Sequence, residues 1–182
     1  MKIQIGVIGP EEKNIPQVLK NKFLEIAREI GKIIAEKDAI LITGGCSGVA
    51  EACAKEVYEK GGITVGTPGR MRGASIPYTT VEICTPIDIG DYIFAGVLSC
   101  DVIIVFPGDA GTLAELAIAY RYKKPLIFIK GFGETLLNDL FVSLTEDYPK
   151  FVVKDAEEAV KLAIRLGKEK LVKIEEVKKN IS

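Results

Sequence analysis

Short runs of Ile and Val recur along the whole chain, and most are apolar at consecutive positions rather than at alternate ones. A strand with one wet face alternates polar and apolar side chains, so strands apolar on both faces must be covered on both. Seven segments read this way: Lys2–Ile8, Ala39–Thr43, Ile63–Thr67, Thr80–Cys84, Val102–Phe106, Pro125–Ile129 and Phe151–Val153. Helical patterns fall between them. Pro16–Glu36 carries Leu19, Phe23, Ile26, Ile30, Ile33 and Ile34 at helical spacing, and Ser47–Lys60 is stopped by Gly61-Gly62. Further helices are expected at Ile89–Ser99, Gly111–Tyr122, Glu134–Leu144 and Asp155–Gly167, the last with Asp155 as its N-cap. This alternation predicts an α/β fold with a doubly wound, mainly parallel sheet of about seven strands and helices on both faces. Residues 1–167 form that single domain. The remainder, 168–182, is rich in Lys and Glu with Leu171, Ile174 and Val177 at helical spacing, and reads as a surface helix or frayed tail.

Composition narrows the chemistry. The chain has no histidine, so every mechanism that needs an imidazole is excluded. Its four cysteines form no C-x-x-C pair, and no metal site is expected. Cys53, Cys84 and Cys100 read as small core residues; Cys46 lies in a glycine turn before a helix, where a thiolate would be favoured, but with no base to assist it the residue reads as a structural or incidental thiol. A net charge of −1 gives no general attraction to nucleic acid or to anionic membranes. No apolar run approaches the ~18 residues of a membrane span, and the N-terminus lacks the pattern of a signal peptide, so a cytoplasmic protein is expected. Abundant Lys, Glu and Ile with few thermolabile residues point to a thermophilic source.

Glycine gathers where strands end. Gly9-Pro10 follows the first strand, Gly44-Gly45 and Gly48 the second, Gly69-Arg70 the third, and Gly108-Asp109-Ala110-Gly111-Thr112 the fifth. In an open parallel sheet, ligands sit outside these carboxyl ends. Glycine lets backbone N–H groups approach a ligand, and the start of the following helix offers unpaired N–H groups and partial positive charge. Phosphate is the natural guest. Gly9, Pro10, Gly44, Gly45, Gly48, Gly108, Asp109, Gly111 and Thr112 are therefore the candidate phosphate-binding residues. No segment reads G-x-G-x-x-G, and no Walker A lysine is present.

The segment Pro107-Gly108-Asp109-Ala110-Gly111-Thr112-Leu113-Ala114-Glu115 resembles the PGGxGTxxE motif of the LOG, or "lysine decarboxylase-like", family of nucleotide phosphoribohydrolases. Thr43-Gly44-Gly45, followed by Gly48-Val49 and Glu51-Ala52, resembles that family's turn after the second strand. Together they are similar to the DprA/Smf-related branch of these Rossmann-like proteins, which includes the molybdenum cofactor carrier proteins. The resemblance runs from about Lys2 to Ile129. It implies that the glycine turns hold a phosphate and that Glu115 faces the ligand. In the hydrolases such a site cleaves a nucleoside 5'-monophosphate to free base and ribose 5-phosphate; in the carriers it holds a pterin phosphate without turnover.

Two departures bear on the choice. Asp109 replaces the second motif glycine and brings a carboxylate to a phosphate site. The helix before the fifth strand, Asp88-Ile89-Gly90-Asp91-Tyr92-Ile93-Phe94-Ala95, lacks the arginine of the hydrolases. Arg70 and Arg72, on the loop after the third strand, are the candidate substitutes. Asp88, Asp91 and Asp109 would suit Mg²⁺ only if all three faced the crevice. The expected function is binding or carriage of a nucleotide-like or pterin-like phosphate ligand, with a nucleotide or the molybdenum cofactor as bound group. The alternatives are a phosphoribohydrolase using Glu115, and nucleic-acid binding of the DprA kind. The resemblance also implies a homo-oligomer.

Overall fold

The computed structural model describes residues 1–85, 90–131 and 148–181. The strands are β1 (Gln4–Ile8), β2 (Ile40–Thr43), β3 (Ile63–Gly69), β4 (Val81–Cys84), β5 (Val102–Val105), β6 (Leu126–Ile129) and β7 (Lys150–Val153). They form one sheet in the order β4-β3-β2-β1-β5-β6-β7. Every pairing is parallel. The strand order reverses between β1 and β5, whose register runs from Ile5 opposite Val102 to Ile8 opposite Val105.

The helices are α1 (Gln17–Glu36), α2 (Val49–Glu59), α3 (Gly90–Ser99), α4 (Ala110–Arg121) and α5 (Ala156–Ile181). They cover both faces, and the double-sided apolar strands explain why. Ile5, Val7, Val102 and Ile104 join one core with Phe23, Ile30 and Ile34 of α1, Val57 of α2 and Val160 of α5. Ile8, Ile103 and Val105 join the other with Val97 of α3 and Leu116 and Ala119 of α4. On α1 the buried side is Phe23, Ala27, Ile30, Gly31 and Ile34, a helical stripe. At Gly31 this helix presses on α2 so closely that a Cβ would run into the Cys53 carbonyl oxygen.

Two expectations are corrected. Gly167 does not end the last helix: α5 continues to Ile181, and at Gly167 it lies against Ile3, just before β1, where a Cβ would come 2.5 Å from Ile3 Cγ2. The segment after Gly167 is thus helix. It is tied down by Lys170, whose Nζ lies 2.8 Å from Oδ1 of the buried Asp101. Cys84 is exposed rather than in the core, because β4 is an edge strand with little above or below it. Asp155 does cap α5, accepting the Glu158 N–H at 2.9 Å. The helix expected at Glu134–Leu144, together with Asp88, lies outside the described residues.

Candidate functional site

A crevice of about 540 Å³ opens at the carboxyl ends of β1, β2 and β5, over the reversal in strand order. Its lining brings together Gly9, Gly44, Asp109, Gly111, Thr112 and Glu115, which come from three separate glycine-containing turns. Val7, Ile8, Glu11, Cys46, Ser47 and Ala50 also line it, and Glu11, Ser47 and Ala50 are ligand-facing positions that the sequence reading does not single out. Ser47 follows the Gly44-Gly45 turn directly and Glu11 follows Gly9-Pro10, so their position beside glycine clusters was the available signal.

Other candidate residues shape the walls instead of lining them. Gly48 has φ +90°, and a Cβ there would lie 2.7 Å from Glu12 N and against the Pro10 carbonyl, so only glycine fits beneath that loop. A Cβ on Gly45 would meet Ser75 Oγ at 2.7 Å, and Ile76 N donates to the Gly45 carbonyl at 3.0 Å. The loop after β3 is thereby folded back on the β2 turn. Gly108 sits over Thr112 and 3.1 Å, at its Cβ position, from Pro10 N. Pro10 is buried.

Arg70 and Arg72 are exposed, and neither is among the crevice-lining residues. Arg72 borders a separate surface hollow along β4. Glu82 on β4 accepts N–H bonds from Gly73 at 2.6 Å and Ser75 at 2.9 Å, which hold its carboxyl below the usual range and fix the loop that carries the arginines. The structure therefore does not bring either arginine into the crevice lining.

The start of α4 is capped by Asp109. Its Oδ1 accepts the Gly111 N–H at 3.0 Å and its Oδ2 accepts from Asn14 Nδ2 at 2.5 Å. Thr112 is 2% exposed, and its Oγ1 has no hydrogen-bond partner among the described residues. Glu115 stands one turn further along the helix. It lines both the crevice and a smaller cavity of about 240 Å³ behind it, bounded by Thr43, Thr67, Gly96 and Cys100. Burial, then the nearby Asp109 charge, push its carboxyl up to about 8. At Cys46 loss of solvent and the charges of Glu11 and Glu115 raise the thiol, outweighing Lys13. It is no activated nucleophile. Lys13 pairs with Glu11 at 2.9 Å at the mouth. Among the described residues no group of three His, Cys, Asp or Glu side chains is placed to hold a metal ion.

Fold and site together define an α/β protein with a ligand crevice at the topological switch point of a parallel sheet. The chain belongs to the SLOG cluster4 family, whose model matches residues 2–163. The molybdenum cofactor binding protein of Rippkaea orientalis is 29% identical with a TM-score of 0.75, over 89% of this chain and 95% of that one. The molybdenum cofactor carrier protein of Chlamydomonas reinhardtii is also 29% identical with a TM-score of 0.75, over 91% and 98%. DNA processing protein A of Helicobacter pylori, a single-stranded DNA binder, shares the fold at 16% identity and a TM-score of 0.58, over 90% and 80%.

Proposed function

We propose that the protein binds and carries a phosphate-bearing, nucleotide-like or pterin-like ligand in this crevice, with the molybdenum cofactor the leading candidate for its cargo. The observation that carries the reading is convergence: glycine turns after β1, β2 and β5 meet at one opening, beside the first turns of two helices. The residues present suit such a group. Ser47 and the helix N–H groups supply donors for a phosphate monoester, while Thr112 Oγ1, without a partner among the described residues, and the Glu115 carboxyl on the lining offer polar atoms to a heterocycle or its substituents. The likeness to two molybdenum cofactor proteins, along nearly their whole lengths, supports the same reading.

Carriage is favoured over hydrolysis because the helix before the fifth strand lacks the arginine of the hydrolases and neither Arg70 nor Arg72 is among the crevice-lining residues that could replace it. The test is incubation of the protein with a panel of nucleoside monophosphates and chromatography for free base, with Glu115→Ala as control. No base release supports carriage. Release that the variant abolishes would establish the hydrolase.

We also propose self-association, cytoplasmic location and no function on nucleic acid. Val81 and Ile83 on the edge strand and Phe94 and Leu98 on α3 are exposed apolar side chains that a second copy would cover. Light scattering should then give a mass above that of one 19.7 kDa chain. A monomer would contradict the assignment.

A further inference from the structure

Two helix starts face the crevice, and they are not equivalent. At α4 the first turn already holds an anion, since the Asp109 carboxylate takes the Gly111 N–H at 3.0 Å and is itself fixed by Asn14. A second anion placed there meets that charge at short range. At α2 the N-cap is Gly48, which contributes no side chain, so the N–H groups of Val49 and Ala50 have no side-chain cap. The turn before it supplies Gly44, Cys46 and Ser47 to the crevice lining, and Ala50 faces the same space. Glu51, the acid in the first turn of α2, is not among the lining residues.

A second, independent observation marks the opposite wall. Thr112 lines the crevice at 2% exposure, and its Oγ1 lacks any partner among the described residues. A buried hydroxyl without a partner costs free energy that a ligand atom would recover. The charges sort the same way. Glu11 has Lys13 at 2.9 Å, whereas the Asp109 carboxylate, at the α4 end, has amide donors, Gly111 N–H and Asn14 Nδ2, as its hydrogen-bond partners.

We propose that the crevice holds its ligand in one orientation: the phosphate on the Gly44–Ser47 turn and the first turn of α2, and a hydrogen-bond-donating part of the ligand against Asp109 at the start of α4. The inference rests on the phosphate-ligand reading above. Asp109, in the position of a motif glycine, is then the residue that sets orientation. It moves the anion across the crevice and selects ligands that carry hydroxyl or amino donors on the side away from the phosphate.

The experiment is titration of the ¹⁵N-labelled full-length protein with inorganic phosphate, following backbone amide shifts. The expected result is movement of the Ser47, Val49 and Ala50 amides while Ala110 and Gly111 stay. Movement of Ala110 and Gly111 with a silent α2 would overturn the orientation and leave the crevice reading intact. Silence at both helix starts would remove the crevice reading and the inference with it. Two variants sharpen the result, each checked for folding by circular dichroism. Asp109→Gly should add Gly111 to the shifted set and tighten phosphate binding about two- to fivefold, the scale of one charge at a helix start. Ser47→Asp should abolish the α2 shifts, and phosphate binding equal to that of the parent would contradict the proposal.

Discussion

Glu115 shows how one residue couples stability, ligand and pH. Its carboxyl ordinarily titrates at 4.5, and burial raises it to about 8. Between these values the folded chain holds a proton that the unfolded chain has released, so stability falls as pH climbs through that window. Glu115→Gln removes the cost of keeping that proton. The variant should melt a few degrees above the parent at pH 7, with the difference vanishing towards pH 4; equal melting at both would show that the carboxyl is not enclosed. Above pH 8 the parent acquires a negative charge in the crevice, so phosphate affinity should drop there in the parent and stay level in Glu115→Gln. Thr112 and Glu115 were legible in the sequence because a motif spaces them one turn apart at a helix start. The anchoring of Asp109 by Asn14 was not, because Asn14 lies 95 residues earlier in the chain. The raised thiol of Cys46 was hidden for the same reason: Glu11 and Glu115 reach it from other turns.

At the scale of elements, close approach explains the glycines that do not serve the crevice. Gly31→Ala would drive a Cβ into the Cys53 carbonyl and push α1 off α2. Its expected cost is about 1–3 kcal/mol, the usual price of overpacking, read from denaturant unfolding. Periodicity found all seven strands and the five described helices, since strands buried on both faces and stripes such as Phe23-Ala27-Ile30-Ile34 are local signals. It misjudged Gly167 because a mid-helix glycine against a neighbouring strand looks the same in sequence as one that stops a helix. It placed Cys84 inside because an apolar run does not say whether its strand lies at an edge. The segment 168–181 is held through Lys170, which pairs with Asp101 while Asp101 also accepts the Gln4 N–H at 2.9 Å. A chain ending at Gly167 should therefore fold, with a lower melting temperature; complete loss of the native circular dichroism would show that the tail belongs to the domain.

At the scale of the molecule, the site follows from topology. Three strands spread to each side of β1, so the connections leave β1 and β5 in opposite directions and open a gap at their ends. The sequence located that end of the sheet through its glycines, but the strand order that sets the gap between β1 and β5 depends on long-range pairing. The crevice carries acidic residues at its lining and the whole chain a net charge of −1, so a gel-shift assay with single-stranded DNA at low salt should show no complex. A salt-sensitive complex would revive the nucleic-acid reading. The central claim, that the crevice recognises a phosphate and keeps its ligand whole, is tested most directly by equilibrium binding of each nucleoside monophosphate against its dephosphorylated counterpart. The account predicts that at least one phosphorylated ligand binds intact and about tenfold or more tighter than the bare nucleoside, the scale of charge-assisted hydrogen bonds to a phosphate. Equal affinity with and without the phosphate across the panel would contradict it.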